Sequence, residues 1–217
     1  MTTQNTLCLS VLATLSLVAG SASAATATEE ETPAPWPPAE TRGYVPVPDE
    51  YYDFPPVSAC GTTLTLTSGD VRDVQNKVQV KHDGETVVTY RGGATVDVSV
   101  APDKTPGAAF PKGAFLDELD ISGRGSVRTS ADESTIVVKL QGPSIVYPTG
   151  SQVEAAALAG AGLPEIFIFE RGKLTLEIRL SEDENAVEPD SVEILRNTTR
   201  DVVDLCQALK ESAVQSD

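Results

Sequence analysis

Histidine occurs once in this chain, at His82, and cysteine three times, at Cys8, Cys60 and Cys206. Those counts limit the available chemistry. A Ser-His-Asp triad would have to use His82. No Ser stands in G-x-S-x-G or begins S-x-x-K. His82 directly precedes Asp83-Gly84, a turn pair, where an exposed polar side chain is the ordinary outcome. Sites built from clustered His and Cys are excluded by count. Carboxylates remain, with 32 Asp and Glu against 16 Lys and Arg. Glu182-Asp183-Glu184-Asn185 and Glu188-Pro189-Asp190 form an acidic stretch of the kind that offers calcium hard oxygen ligands. Its spacing is no EF-hand and no Gly supplies the sharp turn, so it reads as a solvated loop. Asp117, Glu118 and Asp120 are candidates for the paired acids of glycoside hydrolysis, held ~5–9 Å apart. Any acidic chain offers such pairs, so no catalytic residue, metal ligand or cofactor is expected.

Two further motifs read as structure. Gly123-Arg124-Gly125-Ser126 has glycines but lacks the strand-to-helix context of a phosphate loop, and reads as a bulge or twist in a strand. Asn197-Thr198-Thr199 matches the N-glycosylation pattern, but Thr198 has a better use as a helix cap.

The elements that would carry these residues are mostly strands. Thr63 to Thr67 and Lys77 to Lys81 alternate polar and apolar residues, the period-two signal of a half-buried strand. Asp83-Gly84 predicts a hairpin turn to a return strand over Glu85 to Tyr90. Arg91-Gly92-Gly93 predicts another turn, before a third strand from Thr95 to Val100. Ala101 to Gly113, with three prolines and two glycines, predicts a loop. Leu119 to Arg128, Thr135 to Leu140, Ser144 to Tyr147, Ile166 to Phe169, Lys173 to Leu180 and Ser191 to Leu195 continue the pattern. Ala-rich Glu154 to Gly162 predicts one or two helical turns. Thr198 to Leu209 predicts a helix, with Thr198 as cap, Asp201 three residues on, and Val202, Cys206 and Leu209 on one face. About eight or nine strands with short turns and a short C-terminal helix indicate a mainly β fold, an antiparallel sandwich or open barrel.

The N-terminus points to export. Leu7 to Ala19 is an apolar run, followed by small residues at Ala22 and Ala24, the A-x-A that a signal peptidase reads. The run is shorter than the ~20 apolar residues a membrane span needs, so residues 1–24 read as a removed signal and no span remains. The n-region carries no Lys or Arg over residues 2–24. Cys8 lacks the small residue before it and the preceding apolar run of a lipoprotein signal, so no lipid anchor is expected. Residues 25–59 hold eight of the fifteen prolines and seven acidic residues against one basic, Arg42. That composition reads as a semi-rigid acidic tether, though Tyr44, Tyr51, Tyr52 and Phe54 are unusual in a linker. They suit either packing back onto the domain or contact with a partner. Residues 60–217 form the β domain. An even pair of cysteines in an exported chain suggests a disulfide between Cys60, at the head of the first strand, and Cys206. The net charge of −16 argues against nucleic acid and anionic lipid as partners.

Three segments together are familiar. Cys60-Gly61-Thr62-Thr63-Leu64-Thr65-Leu66 heads the domain, Gly142 to Thr149 (Gly-Pro-Ser-Ile-Val-Tyr-Pro-Thr) lies in its middle, and Asp204-Leu205-Cys206-Gln207-Ala208-Leu209 closes it. Over residues 60–209 this layout resembles a group of uncharacterised secreted β-rich proteins of high-GC Gram-positive bacteria. They share a signal peptide, one long-range cysteine pair and a closing Cys-x-x-Leu. The resemblance implies export, a β architecture and the Cys60–Cys206 pairing, and brings no functional residues. The expected function is a non-enzymatic binding or structural module, secreted or held at the cell envelope, with an envelope polysaccharide or a protein as partner. The alternatives are a small-ligand carrier with a barrel cavity and a carbohydrate-active hydrolase using loop carboxylates.

Overall fold

The computed structural model describes residues 40–147, 151–183, 186 and 188–215. Twelve strands are formed among them: β1 (Val45–Pro46), β2 (Val57–Ala59), β3 (Thr62–Val80), β4 (Thr86–Val100), β5 (Ala114–Asp120), β6 (Arg124–Thr129), β7 (Thr135–Gln141), β8 (Ser144–Val146), β9 (Phe167–Arg171), β10 (Lys173–Arg179), β11 (Ser191–Asn197) and β12 (Arg200–Asp204). Two α-helices accompany them, α1 (Gln152–Gly160) and α2 (Leu205–Gln215), with a single 3-10 turn over Asp49–Tyr52. All pairings are antiparallel. One nine-stranded sheet runs β1-β3-β4-β6-β7-β10-β11, with β2 beside β3 and β5 beside β4; a second runs β12-β9-β8. The fold is mainly β with an unclosed large sheet, as the alternation predicts. The strand count exceeds the eight or nine expected because β1, β2 and β12 are short additions at sheet edges.

Strands β3 and β4 are the long axis of the molecule. They pair from Leu64↔Val100 to Val80↔Thr86, with a register shift between Ser68 and Arg72. Four segments that read as separate strands are thus two. The misleading signals were glycines. Gly92 and Gly93 lie inside β4, where Gly92 (φ 118°) has no room for a Cβ against the Asp73 carbonyl. Gly69, in the bulge, packs directly against Thr95 and Glu118. Glycine within a strand often marks such a bulge or close approach rather than its end. The bulge divides the ladder. Below it β3 and β4 pair with β2 and β5; above it they pair with β1 and β6.

Alternation puts one face of this sheet inside. Leu64, Leu66, Val74, Val78, Val96, Val98, Val127, Val138, Leu174 and Leu176 are buried and share one cluster with Ile145, Phe167 and Phe169 of the second sheet. Burying each such side chain is worth about 1.5–3 kcal/mol. Phe110, from the expected loop over 101–113, is also enclosed in this cluster.

Part of the expected tether is built into the domain. Residues 25–39 lie outside the described residues, but from Thr41 the chain follows β3. Thr41 N–H donates to the Val78 carbonyl (3.1 Å), Val47 N–H to that of Val74 (3.1 Å), and β1 and β2 pair with β3. Tyr51 is buried and stacks on Tyr90, ring centroids 5.7 Å apart.

The C-terminal helix starts later than the residues suggested. Over 200–204 the chain is strand β12, paired with β9. Thr198 caps no helix: its Oγ1 accepts from Lys173 N–H (3.0 Å). Asp201 pairs instead with Arg171. The helix begins at Leu205 and Asp204 Oδ1 accepts from Gln207 N–H (3.1 Å), the N-cap bond. Val202 is an exposed strand residue, while Leu205 and Leu209 take the buried face. Competition from β9 for backbone hydrogen bonds overrides the local helix signal. The Leu119 to Arg128 strand is likewise broken, ending as β5 at Asp120 and restarting as β6 at Arg124.

Candidate functional site

The outer face of the upper sheet collects cations. Pairing across six strands aligns two rows of side chains that alternate with the buried positions. One row holds Lys77, Thr89, Ser126, Lys139, Thr175 and Arg196, each paired with the next. The neighbouring row holds Gln75 opposite Arg91, then Arg124, Gln141 and Lys173 paired in succession. Arg91 and Arg124 each fall one residue beyond the Tyr90↔Gly125 pair, so the two guanidinium groups stand on adjacent strands. Every one of β3, β4, β6, β7, β10 and β11 contributes one cation, and no acid occupies either row. Six of the sixteen Lys and Arg of an acidic chain therefore lie on one strip.

None of the six forms an ion pair among the described residues. Arg91 is nonetheless held in place. Its guanidinium lies 3.8 Å from the centroid of the Tyr44 ring and donates to Gln75 Oε1 (3.0 Å). The next row is different: Arg128 pairs with Glu85 (3.3 Å), and Glu177 with Arg179 (3.2 Å). The cationic strip is thus two rows wide, with compensated charge beyond it. Arg91, Arg124, Lys139, Lys173 and Arg196 are exposed and Lys77 half-buried.

The carboxylates singled out from the sequence are otherwise engaged. Glu118 braces the bulge: Oε1 accepts from Asp70 N–H (2.8 Å) and Oε2 from the Thr95 hydroxyl (2.7 Å), while its own N–H donates to Asp97 Oδ1 (2.8 Å). Asp120 accepts from Ser122 N–H (2.9 Å) in a local turn. Asp117 is exposed beside them. Of the acidic stretch, Glu188 caps α1: its carboxylate accepts from the Gln152 and Val153 N–H groups (both 3.2 Å) and from the Ser151 hydroxyl (3.3 Å). A carboxylate at a helix N-terminus meets unpaired N–H donors and the positive end of the dipole. Asp183 and Ala186 close a turn, Glu182 and Asp190 are exposed, and Glu184 and Asn185 lie outside the described residues. Among the described residues no three metal-ligating side chains gather. His82 is exposed in the β3–β4 turn.

Cys60 and Cys206 are paired as a disulfide, Cα atoms 5.3 Å apart, tying the head of β3 to α2 across 146 residues. Glu165 Oε2 accepts from Cys60 N–H (3.0 Å) at the same corner. The aromatics of the expected tether are fixed too. Tyr52 Oη accepts from Val74 N–H (3.0 Å). Burial pushes the Tyr51 phenol well above its ordinary range and raises that of Tyr52.

Gly123 to Ser126 runs into regular strand β6 and holds no phosphate-loop turn. Asn197 Oδ1 accepts from the Thr199 hydroxyl (2.7 Å) and N–H (3.1 Å) in the β11–β12 turn. Beside Gly123 and Gly125 a cavity of about 20 Å³ is lined by residues including Tyr51, Tyr90, Arg91, Arg124 and Ser144. That volume suits a single water; a small-molecule site needs roughly 300 Å³ or more. Among the described residues no helix is long and apolar enough to cross a membrane. No protein-family model, curated protein or solved structure matches this chain.

The cation rows escaped sequence reasoning because their members lie up to 119 positions apart, from Lys77 to Arg196. The usable signal was the polar half of each alternation. In the strand segments around Lys77, Lys139 and Lys173 it holds Lys, while in those around Thr65 and Asp97 it holds Thr, Ser and Asp.

Proposed function

We propose that the chain is an exported, non-enzymatic binding module that works at or outside the cell envelope of a high-GC Gram-positive bacterium. The observation carrying this reading is a strip of six cations that form no ion pair among the described residues, on a molecule of strongly acidic composition. Charge that neither pairs internally nor spreads evenly favours association with a complementary surface. The signal-like N-terminus and the long-range disulfide support work outside the cytoplasm. Engagement of Glu118, Asp120 and Glu188 in backbone hydrogen bonds disfavours the hydrolase alternative. The small cavity beside Tyr90 gives the carrier alternative no support.

The test is retention of the oxidised protein on fractionated cell envelope, with and without chelator. Saturable retention that falls as salt rises and is indifferent to chelator is the expected result. No retention on any fraction overturns the reading, and turnover of an envelope polymer or ester by the protein removes its non-enzymatic part.

A further inference from the structure

We infer that the two cation rows bind a linear anionic glycan, a chain of hydroxyl-rich sugars bearing carboxylates, laid across the strands. The inference rests on the binding-module reading and names its ligand.

Three features of the strip select this chemistry. The first is shape. Six strands ~4.8 Å apart give a track of roughly 24 Å, and the two rows stand about 7 Å apart along the strands. An elongated, narrow track suits an extended chain rather than a compact anion or a plane. The cations are divided between the rows: Lys77, Lys139 and Arg196 in one, Arg91, Arg124 and Lys173 in the other. Charges that project to both sides of an extended sugar chain, about one per ring, meet such an arrangement. The second feature is the filling between cations. Gln75, Thr89, Ser126, Gln141 and Thr175 offer only amides and hydroxyls, the partners of sugar hydroxyls. The third is the donor set. Arg91 and Arg124 stand on adjacent strands with no acid in either row, and Arg presents a planar fork that matches a carboxylate.

The same features disfavour other polyanions. Single-stranded nucleic acid binds through aromatic side chains on which bases stack. The one ring at the strip, Tyr44, is covered by Arg91. An anionic membrane needs apolar anchors, which neither row has.

The experiment measures retention of the oxidised full-length protein on immobilised polygalacturonate. Neutral dextran, oligo(dT) and phosphatidylglycerol vesicles run in parallel. Binding to polygalacturonate alone, weakening as salt rises, is expected. The triple change Arg124→Glu, Lys139→Glu, Lys173→Glu should weaken it roughly tenfold or more, since each exposed pair contributes modestly. Arg124→Gln, Lys139→Gln, Lys173→Gln should weaken it less but measurably, which keeps the test valid if the reversed protein does not fold. The same change in net charge away from the strip, Lys104→Glu, Lys112→Glu, Lys210→Glu, should leave most of the binding. Equal loss in that control, retention unmoved by both strip variants, or preference for oligo(dT) or vesicles would overturn the inference. Envelope retention without polygalacturonate binding would overturn it while leaving the binding-module reading intact.

Discussion

The β3–β4 ladder has two halves that share an inner face and differ outside. Below the bulge the inner side carries Leu64, Leu66, Val96 and Val98, and above it Val74, Val78, Val88 and Tyr90, all buried. On the outer side the lower half shows Thr65, Thr67, Asp97 and Ser99, with Glu118 and Asp120 alongside. The upper half shows Lys77 and Arg91, which lead into the cations of β6, β7, β10 and β11. Burial imposes one rule on both inner faces, because a polar residue there loses its water; Asn76, buried opposite Tyr90, is the exception in the upper half. It imposes nothing on the outer faces, so their contrast reflects other demands. The halves are also secured differently. The lower half has the Cys60–Cys206 disulfide and the Glu118 brace; the upper half is flanked by a run of further strands.

The largest expected effect comes from removing the staple. Closing a loop across 146 residues is worth up to ~5 kcal/mol in the chain-entropy model. Cys206→Ser should therefore destabilise the protein by several kcal/mol in urea and expose Cys60 to thiol reagents. Amide exchange should accelerate more at residues 62–67 and 96–100 than at 74–80. Uniform acceleration would mean that the halves open as one unit and that their difference is confined to surface charge. Two free thiols in protein purified without reductant would remove the disulfide itself.

Core truncations test the shared inner face. Leu66→Ala lies below the bulge and Leu176→Ala in β10 above it, at 3 % and 1 % exposure. Each should cost about 2–5 kcal/mol, the usual figure for a buried leucine, and the two should agree to about 1 kcal/mol if both halves belong to one core. A much cheaper Leu66→Ala would show a lower half that collapses around the gap.

What was legible in the sequence follows the same division between inside and outside. The period-two burial of β3, β4, β7 and β10 could be read directly, because alternation is a local signal with a global cause. So could the Asp83-Gly84 turn and the cysteine pair. The bulge could not, since Gly92 and Gly93 look like turn residues until the strand opposite them is known, and Gly69 by itself carries no signal. Residues 198–204 look helical until β9 offers them a ladder. Tyr51 is unusual for a linker, yet whether it packs back onto the domain or meets a partner stays open in the sequence because Tyr90, on which it stacks, is 39 positions away. The cation rows depend on the register of six strands, which no single window contains. Net charge concealed them further: −16 describes the whole chain and says nothing of a strip.

The smallest effect concerns a carboxylate that works locally in the upper half. Asp132, in the β6–β7 turn, accepts from the Ser130 hydroxyl and from the Ser134 hydroxyl (2.8 Å) and N–H (3.1 Å). Those donors, Ser130 first, hold its carboxyl at about 2, below the ordinary 3.8. A carboxyl depressed in the folded state contributes stability above its unfolded value and loses it as pH falls through the folded one. The turn should thus be braced at pH 5 and unbraced near pH 2. Asp132→Asn should lower Tm slightly at pH 5, and its gap from wild type should close between about pH 4 and 2. Asp103 in the lower half is also depressed, by Thr105, so Asp103→Asn should show the same sign. A gap that stays constant to pH 2 would mean that the protonated carboxyl holds the turn as well as the carboxylate does, so that the brace is one of shape, not charge.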